Sequence, residues 1–467
     1  MSYSPAYPAP EAVAPPGSRQ FTTQRVALHP LAKASLLALV CPAFFELGPL
    51  LLNPSRLLFM IVAPILLVRL LLGAYGKLLV TDKLVLAYAG WITLTIAINN
   101  TNAALTFAGL NVASLIGGYL VARVTIRSVE DFLAFVRFFV WIILFLLPFA
   151  VYESLTTHML LAELINAMPG FQSYESVGYG SRLGFYRAQV VFTHPIHFGL
   201  YCSMAVGLYF YGFANRVPLF KRAFLSALLV GTCFLSVSSG PLLATLYQLV
   251  LLGYGVLTHK NEKQWKYLLI VTGIVYAAIE LVTTRFGLYA IAQKLALDSS
   301  TTFVRATLWE YGTAQIKRTP IFGVGHNPWP HPPWLSGSVD NFWLYTALIH
   351  GIPALILFSG LILYSMICAG HGKFRHGSDL YNIRVGWTIV LISLSLTLAT
   401  VAIWSELLSM VLFVIGAGAF LFYVAEDSEE MASGSPGPER GQARYTRFPP
   451  GTSPSAIPAL SGSPQLH

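Results

Sequence analysis

VDNFWLYTALIHGIPALILFSGLILY, residues 339–364, opens on an acid and an amide and then continues almost wholly apolar. Its apolar part, counted over residues 341–369, exceeds the roughly 20 residues that a helix needs to cross a bilayer. Eleven further runs of this kind lie near residues 31–52, 57–75, 84–99, 103–122, 132–152, 194–214, 219–236, 239–258, 267–283, 385–401 and 403–424. The chain has 467 residues, is 55% hydrophobic and 10% charged, and has a mean hydropathy of +0.64. An ordinary soluble domain is only about 45–50% apolar and carries about 25% charge. The pattern predicts an all-α, polytopic membrane helix bundle of about 12 spans, a single membrane domain over residues 31–425.

Basic residues recur in every second connection. Lys77 and Lys83 are followed by Arg123 and Arg127, then Arg216, Lys221 and Arg222, then Lys260, Lys263 and Lys266, then Lys373, Arg375 and Arg384. Positive charge favours the cytoplasmic side, so both termini are expected there. Residues 1–30, rich in Pro and Ala with no apolar core behind a basic start, and residues 426–467, rich in Ser, Gly and Pro, read as disordered tails. The net charge of +9 is scattered singly through connections, which argues against nucleic acid. Cys41, Cys202, Cys233 and Cys368 sit within apolar runs without zinc-type spacing.

On the opposite, outer side two connections are long, residues 153–193 and 284–340, and long ordered loops are usually functional. They carry basic residues where the charge rule disfavours them: Arg182 and Arg187, then Arg285, Lys294, Arg305, Lys317 and Arg318. As a set these suggest an anion held on the outer face. Within the second loop Phe303, Ala306, Leu308 or Trp309, and Ala314 recur at helical spacing behind a Ser/Thr cluster. The spacing predicts an amphipathic helix over about residues 301–317, lying on the membrane surface. TPIFGVGHNPWPHPPW then reads as an irregular Gly/Pro-rich return.

No GxxxxGK[ST] loop, HExxH helix or GxSxG elbow occurs, which sets aside nucleotide-driven, zinc-protease and serine-hydrolase chemistry. Polar residues instead gather at outer helix ends, and each carries a structural reading beside a functional one. Arg182 and Arg187 suit phosphate oxygens through their planar forks, while a long basic side chain near a helix end also snorkels to headgroups. His194 and His197 lie one turn apart at the head of a spanning run, with Pro195 suited to a first helical turn. They fit an interfacial polar role better than a metal site, because no third ligand adjoins them. In LSVSSGPLLATL, Ser238 and Ser239 either cap a helix or bond a sugar or phosphate. Arg305 and Trp309, one turn apart, are expected to face one cleft, with interfacial anchoring as the other reading of Trp309. Lys317 and Arg318 suit phosphate contacts, including those of lipid. Asp340 and Asn341 both suit a helix N-cap, but a cap needs one residue, and a carboxylate at membrane depth is costly without a partner.

These features together resemble the O-antigen polymerase and O-antigen ligase superfamily, including exopolysaccharide polymerases. The residues that carry the resemblance are RLGFYRAQVVFTHPIHFGLY, SVSSGPLLATL and, above all, RATLWEYGTAQIKRTPIFGVG (residues 305–325) followed by VDNFWLYTALIHGIPALI. Arg305, Trp309, Pro320, Phe322, Gly323, Gly325, Asp340, Asn341 and Gly351 occupy the motif positions, and the likeness extends in order over about residues 180–425. There are two departures. Asp340 stands where ligases of the family are expected to carry a histidine, which shifts weight toward a polymerase. Ser239, Gly240 and Pro241 stand where many members have Ser-Arg-Gly.

The resemblance implies glycosyl transfer at the periplasmic face of a bacterial inner membrane, with no cofactor and no metal. The donor would be a glycan on undecaprenyl diphosphate and the acceptor another lipid-linked repeat unit; membrane lipid and other polysaccharide-export proteins are the further expected partners. Asp340, Arg305 and Arg187 are the expected catalytic residues. Arg182, Asn341, Trp309, His194, His197, Ser239 and Arg318 are expected to bind substrate. Transfer of finished glycan to a lipid or protein acceptor is the nearest alternative. A polysaccharide transporter or flippase is the second, although transporters place polar sites near the midplane in repeated halves.

Overall fold

The computed structural model describes residues 27–48, 50–178, 180–282, 299–335, 337–371 and 374–423. Most of the expected tails, together with residues 283–298 bearing Arg285 and Lys294, lie outside these, as do Lys373 and the side chain of Phe303. The chain is mostly helical. In order, the elements are α1 (Pro30–Leu39), β1 (Phe45–Leu47), β2 (Leu50–Leu52), α2 (Pro54–Leu71), α3 (Val80–Asn99), α4 (Thr101–Thr125), α5 (Val129–Thr156), α6 (Leu160–Asn166) and α7 (Pro195–Gly212). They continue with α8 (Leu219–Phe234), α9 (Ser239–Leu257), α10 (Gln264–Val282), α11 (Ser299–Arg318), α12 (Phe342–His371), α13 (Asp379–Thr397) and α14 (Ser405–Ala417).

Among the described residues eight helices are long and apolar enough to cross a membrane: α2, α3, α4, α5, α9, α12, α13 and α14 with its continuation to Tyr423. The chain is a multi-pass membrane protein. Each of the eight matches one of the twelve apolar runs. Runs 194–214, 219–236 and 267–283 are also helical, as α7, α8 and α10. The first run departs from expectation. Over residues 31–52 it forms the ten-residue helix α1 and then an antiparallel hairpin pairing Phe45 with Leu52 and Leu47 with Leu50. Hydropathy alone does not reveal the break: Pro42 cannot supply a helical N–H, and Gly48 takes a φ of +60°, the left-handed turn conformation open to glycine.

Alternating helix directions bring the basic connections to one end of the bundle and the long loops to the other. Helix starts follow local chemistry. Asn53 caps α2 by accepting from Arg56 N at 2.8 Å with Pro54 behind it, and Ser128 caps α5 by accepting from Asp131 N at 3.1 Å. Helix α7 is buried along nearly its whole length and forms the centre of the core.

Helix α12, read from sequence as continuous, is broken at Gly351, whose φ of 81° and ψ of 171° lie outside the helical region. The break leaves the carbonyls of residues 348–350 without their usual partners, and each finds another. Leu348 O accepts from Val324 N at 2.9 Å and Ile349 O from Gly325 N at 3.0 Å. His350 O accepts from Trp91 Nε1 at 2.9 Å. Ile352 N, freed by the break, donates to Pro320 O at 2.8 Å. Buried backbone groups must be paired, so the TPIFGVG turn substitutes for the missing helical bonds. A Cβ at Gly351 would collide with the Ile321 carbonyl. The same turn is pinned to the end of α3: Phe322 stacks on Trp91 with centroids 5.7 Å apart, and His326 N donates to Asn100 Oδ1 at 2.7 Å.

Candidate active site

Asp340 stands at the head of α12, and its neighbour makes the cap. Asn341 Oδ1 accepts from Leu344 N at 3.0 Å, while Asn341 O accepts from Tyr345 N at 2.8 Å. The cap is thereby complete without Asp340, whose side chain is exposed. Asn341, expected to bind substrate, thus commits its amide oxygen to the helix start and keeps Nδ2 as a donor.

Two arginines from distant parts of the chain lie within electrostatic reach of Asp340, Arg305 of α11 and Arg187 of the first long loop. Crowding by surrounding protein raises the Asp340 carboxyl above its ordinary value of 3.8, and the two guanidiniums pull it back down. Solvent still reaches the carboxylate, so this is an accessible group rather than one sealed in a core. Arg305 is half-buried, and its Nε makes no hydrogen bond among the described residues. A buried guanidinium N–H without an acceptor calls for a partner, and an anionic oxygen would supply one.

Arg187 is held by a wired segment. Tyr186 N donates to Ser154 O at 2.9 Å and Ala188 N to Leu235 O at 3.0 Å. Gln189 N and Val190 N donate to the two carboxylate oxygens of buried Glu153, at 2.9 and 2.8 Å. Val190 has a φ of 54°, a left-handed conformation unfavourable for a β-branched residue, and the Glu153 clamp holds it there. Arg187 Nη2 then donates to Ser238 Oγ at 2.8 Å, and Ser238 Oγ donates onward to Ser236 O at 2.8 Å. Ser238 therefore orients the arginine and makes no side-chain capping bond. Glu153 escaped the sequence reading, although an acid near the end of the apolar run FAVYESLT was the signal available. Ser239, expected to bind substrate, starts α9 one residue beyond the serine that meets Arg187.

Arg187, Glu153, Gln189 and Tyr186 line a cleft of about 470 Å³, within the roughly 300–1,000 Å³ typical of small-molecule sites. Pro195 also lines it, and His194 before it caps α7, accepting from Ile196 N through Nδ1 at 3.1 Å. Burial, and then the charge of Arg187, push its imidazole down to about 4. A neutral ring whose Nδ1 accepts keeps its proton on Nε2. His197 points elsewhere. It is buried, with its ring centroid 4.1 Å from that of Trp404 and Nδ1 3.2 Å from Thr193 Oγ1. Among the described residues no three His, Cys, Asp or Glu side chains cluster as metal ligands.

The helix predicted over residues 301–317 is present as Ser299–Arg318, with a different inward face. Leu308, Gly312 and Gln315 are buried beside half-buried Arg305, and Gly312 approaches the Leu344 side chain. Trp309 is 49% exposed and Ala314 is exposed, so Arg305 and Trp309 do not share a packed face. Arg318 is exposed in the last turn, thirteen residues and therefore about 20 Å along the axis from Arg305. There its charge complements the helix end. Arg182 closes a two-residue turn over Leu183 and Gly184, its backbone exchanging hydrogen bonds with Phe185 at 2.9 and 3.0 Å. It is not among the cations whose charge Asp340 feels.

Residues 224–359, which hold Ser238, Arg305, Asp340 and the broken head of α12, match the family model described as O-antigen ligase. That match supports the O-antigen ligase and polymerase superfamily. Proteins of this family are membrane glycosyltransferase-like enzymes whose substrates are in general lipid-linked glycans. A comparison with curated proteins gave no match.

Proposed function

We propose that this protein is a metal-independent glycosyltransferase of the bacterial inner membrane that polymerises undecaprenyl-diphosphate-linked repeat units at the periplasmic face. The observation that carries this reading is the convergence of Asp340 with Arg305 and Arg187, from three separate parts of the chain, at one end of the bundle. An acceptor hydroxyl attacks the anomeric carbon of the donor, and Asp340 takes its proton. The bond between that carbon and the phosphate oxygen breaks, and undecaprenyl diphosphate leaves with the bonding electrons. Arg187 and Arg305 offset the charge that develops on it. The prenyl tails stay in the bilayer, so both substrates are confined near the site.

The test is a reaction of the purified protein with a lipid-linked repeat unit in the presence of EDTA, read for polymer and for released undecaprenyl diphosphate. Polymer with stoichiometric diphosphate release is the expected result, and absence of both sinks the reading. The family description favours a second reading, transfer of finished glycan to a different acceptor. Product that carries one glycan on a non-identical lipid or protein, with no elongation, would establish it.

A further inference from the structure

A second pocket lies at the same end of the bundle, between the heads of α2, α12 and α14 and the first turns of α4. It holds about 190 Å³, room for one sugar ring rather than a chain. Phe107, Tyr345 and Trp404 supply aromatic faces, and Arg56, Asn111 and Glu406 supply polar groups. Flat aromatic surfaces beside a carboxylate, an amide and a guanidinium match the two aspects of a pyranose, its apolar C–H face and its rim of hydroxyls.

Two departures from regular backbone converge on this pocket. Residues Ala108–Val112 form a π turn inside α4, a feature that frequently marks functional sites. Asn111 within it is exposed and has no side-chain hydrogen bond among the described residues. Ser405, which opens α14, has a φ of 49°, and strain of this kind also gathers at ligand sites. Glu406 beside it is fixed from two directions, accepting from Asn53 Nδ2 at 2.7 Å on Oε1 and from Tyr174 Oη at 3.3 Å on Oε2. An anchored carboxylate retains lone pairs for a further donor.

Location assigns the pocket a role. The pocket joins Arg56, Phe107, Asn111, Trp404 and Glu406, which fall outside residues 224–359, to Phe342, Tyr345 and His350 within them at the head of α12, two residues beyond Asp340. A sugar seated there lies next to the helix head that carries Asp340, on the side from which an acceptor hydroxyl would approach. The geometry points to a saccharide subsite that seats one sugar of the incoming acceptor glycan, separate from the cleft that Arg187 lines. This inference rests on the transferase reading above.

The test uses the full-length protein in lipid nanodiscs and, as probe, the repeat-unit oligosaccharide freed from its lipid by mild acid. Asn111→Leu should weaken oligosaccharide binding about tenfold, as loss of one hydrogen bond to a ligand does, and should similarly raise the KM for that lipid-free oligosaccharide as acceptor, with the lipid-linked unit as donor. The donor KM should stay unchanged. An apolar residue at an exposed position of a spanning helix is expected to preserve the fold, and Asn111→Ala repeats the test should the leucine variant fail to accumulate. Unchanged oligosaccharide affinity overturns the subsite, and a raised donor KM with unchanged acceptor KM reassigns it to the donor glycan and overturns the acceptor role. Because binding is measured without turnover, an inactive preparation still decides the subsite, and failure of the transferase reading is recognised separately.

Discussion

Helices α3 and α12 each begin with an aspartate near arginine, at opposite ends of the bundle. Asp82 of α3 is fully buried: Oδ1 accepts from Tyr119 Oη at 2.6 Å and from Arg123 Nε at 3.2 Å, and Oδ2 accepts from Leu79 N at 2.8 Å. Arg123 in turn lies 4.5 Å over the ring of Tyr423. Asp340 of α12 has an exposed side chain and leaves capping to Asn341, with Arg305 and Arg187 near it but without a salt bridge to either among the described residues. The first cluster spends its charge on closing the fold. The second leaves its carboxylate open to solvent, and on the proposed transferase reading the two clusters should respond oppositely to mutation.

The largest contrast should come from the open cluster. Asp340→Asn keeps the side chain's shape and removes its ability to take a proton, so transfer should fall by about a thousandfold, the scale of general-base catalysis. The melting temperature should hold, since no fold bond depends on that carboxylate. A variant that elongates glycan at the normal rate would remove Asp340 from the chemistry. At the closed cluster Arg123→Leu should cost about 3–5 kcal/mol of stability by stranding a buried carboxylate, with activity per folded molecule little changed. Pairing it with Asp82→Asn should restore much of the loss, because both charges are then absent. Denaturation monitored beside specific activity separates these outcomes.

This difference between clusters was only half legible in the sequence. Spanning helices emerge from hydropathy because a bilayer demands length and apolarity, and the gathering of polar residues at one end follows from counting helices. Which of two adjacent polar residues caps α12 did not, since Asp340 and Asn341 are both good caps and tertiary surroundings choose between them. Likewise Ser238 and Ser239 differ only in which one Arg187 reaches. The break at Gly351 depends on a turn about thirty residues upstream supplying replacement donors, and the Glu153 clamp on Arg187 joins residues 34 positions apart or more. Residue patterns report local periodicity; these contacts are long-range.

A finer probe is pH. The Asp340 carboxyl is raised by its surroundings and lowered by Arg305 and then Arg187. A base must be ionised to act, so activity should fall on acidification with a midpoint above the ordinary 3.8. Arg305→Gln removes a lowering charge and should move that limb to higher pH, whereas Arg305→Lys should leave it nearly in place. For stability the sign is the reverse of a salt-bridged acid: the folded state holds this proton more tightly than the unfolded chain, so the contribution is full below the unfolded value and is lost as pH rises through the folded one. An acid limb insensitive to the charge at residue 305 would break the electrostatic link between α11 and α12.

The smallest effect is expected at Trp309, and it tests which face of α11 matters. Helical spacing alone places Arg305 and Trp309 as neighbours facing one cleft. Burial along the helix gives a different register, because Leu308, Gly312 and Gln315 are buried while Trp309 is about half exposed. A tryptophan there can anchor the helix at the membrane boundary without touching the cleft. Trp309→Ala should therefore change transfer by no more than about threefold, comparable to loss of a single weak contact, while Arg305→Ala on the packed face should cost far more. A loss at Trp309 as deep as that at Arg305 would mean that the helix rotates on its contact with α12 when substrate binds, bringing the indole to the side that the arginine occupies here.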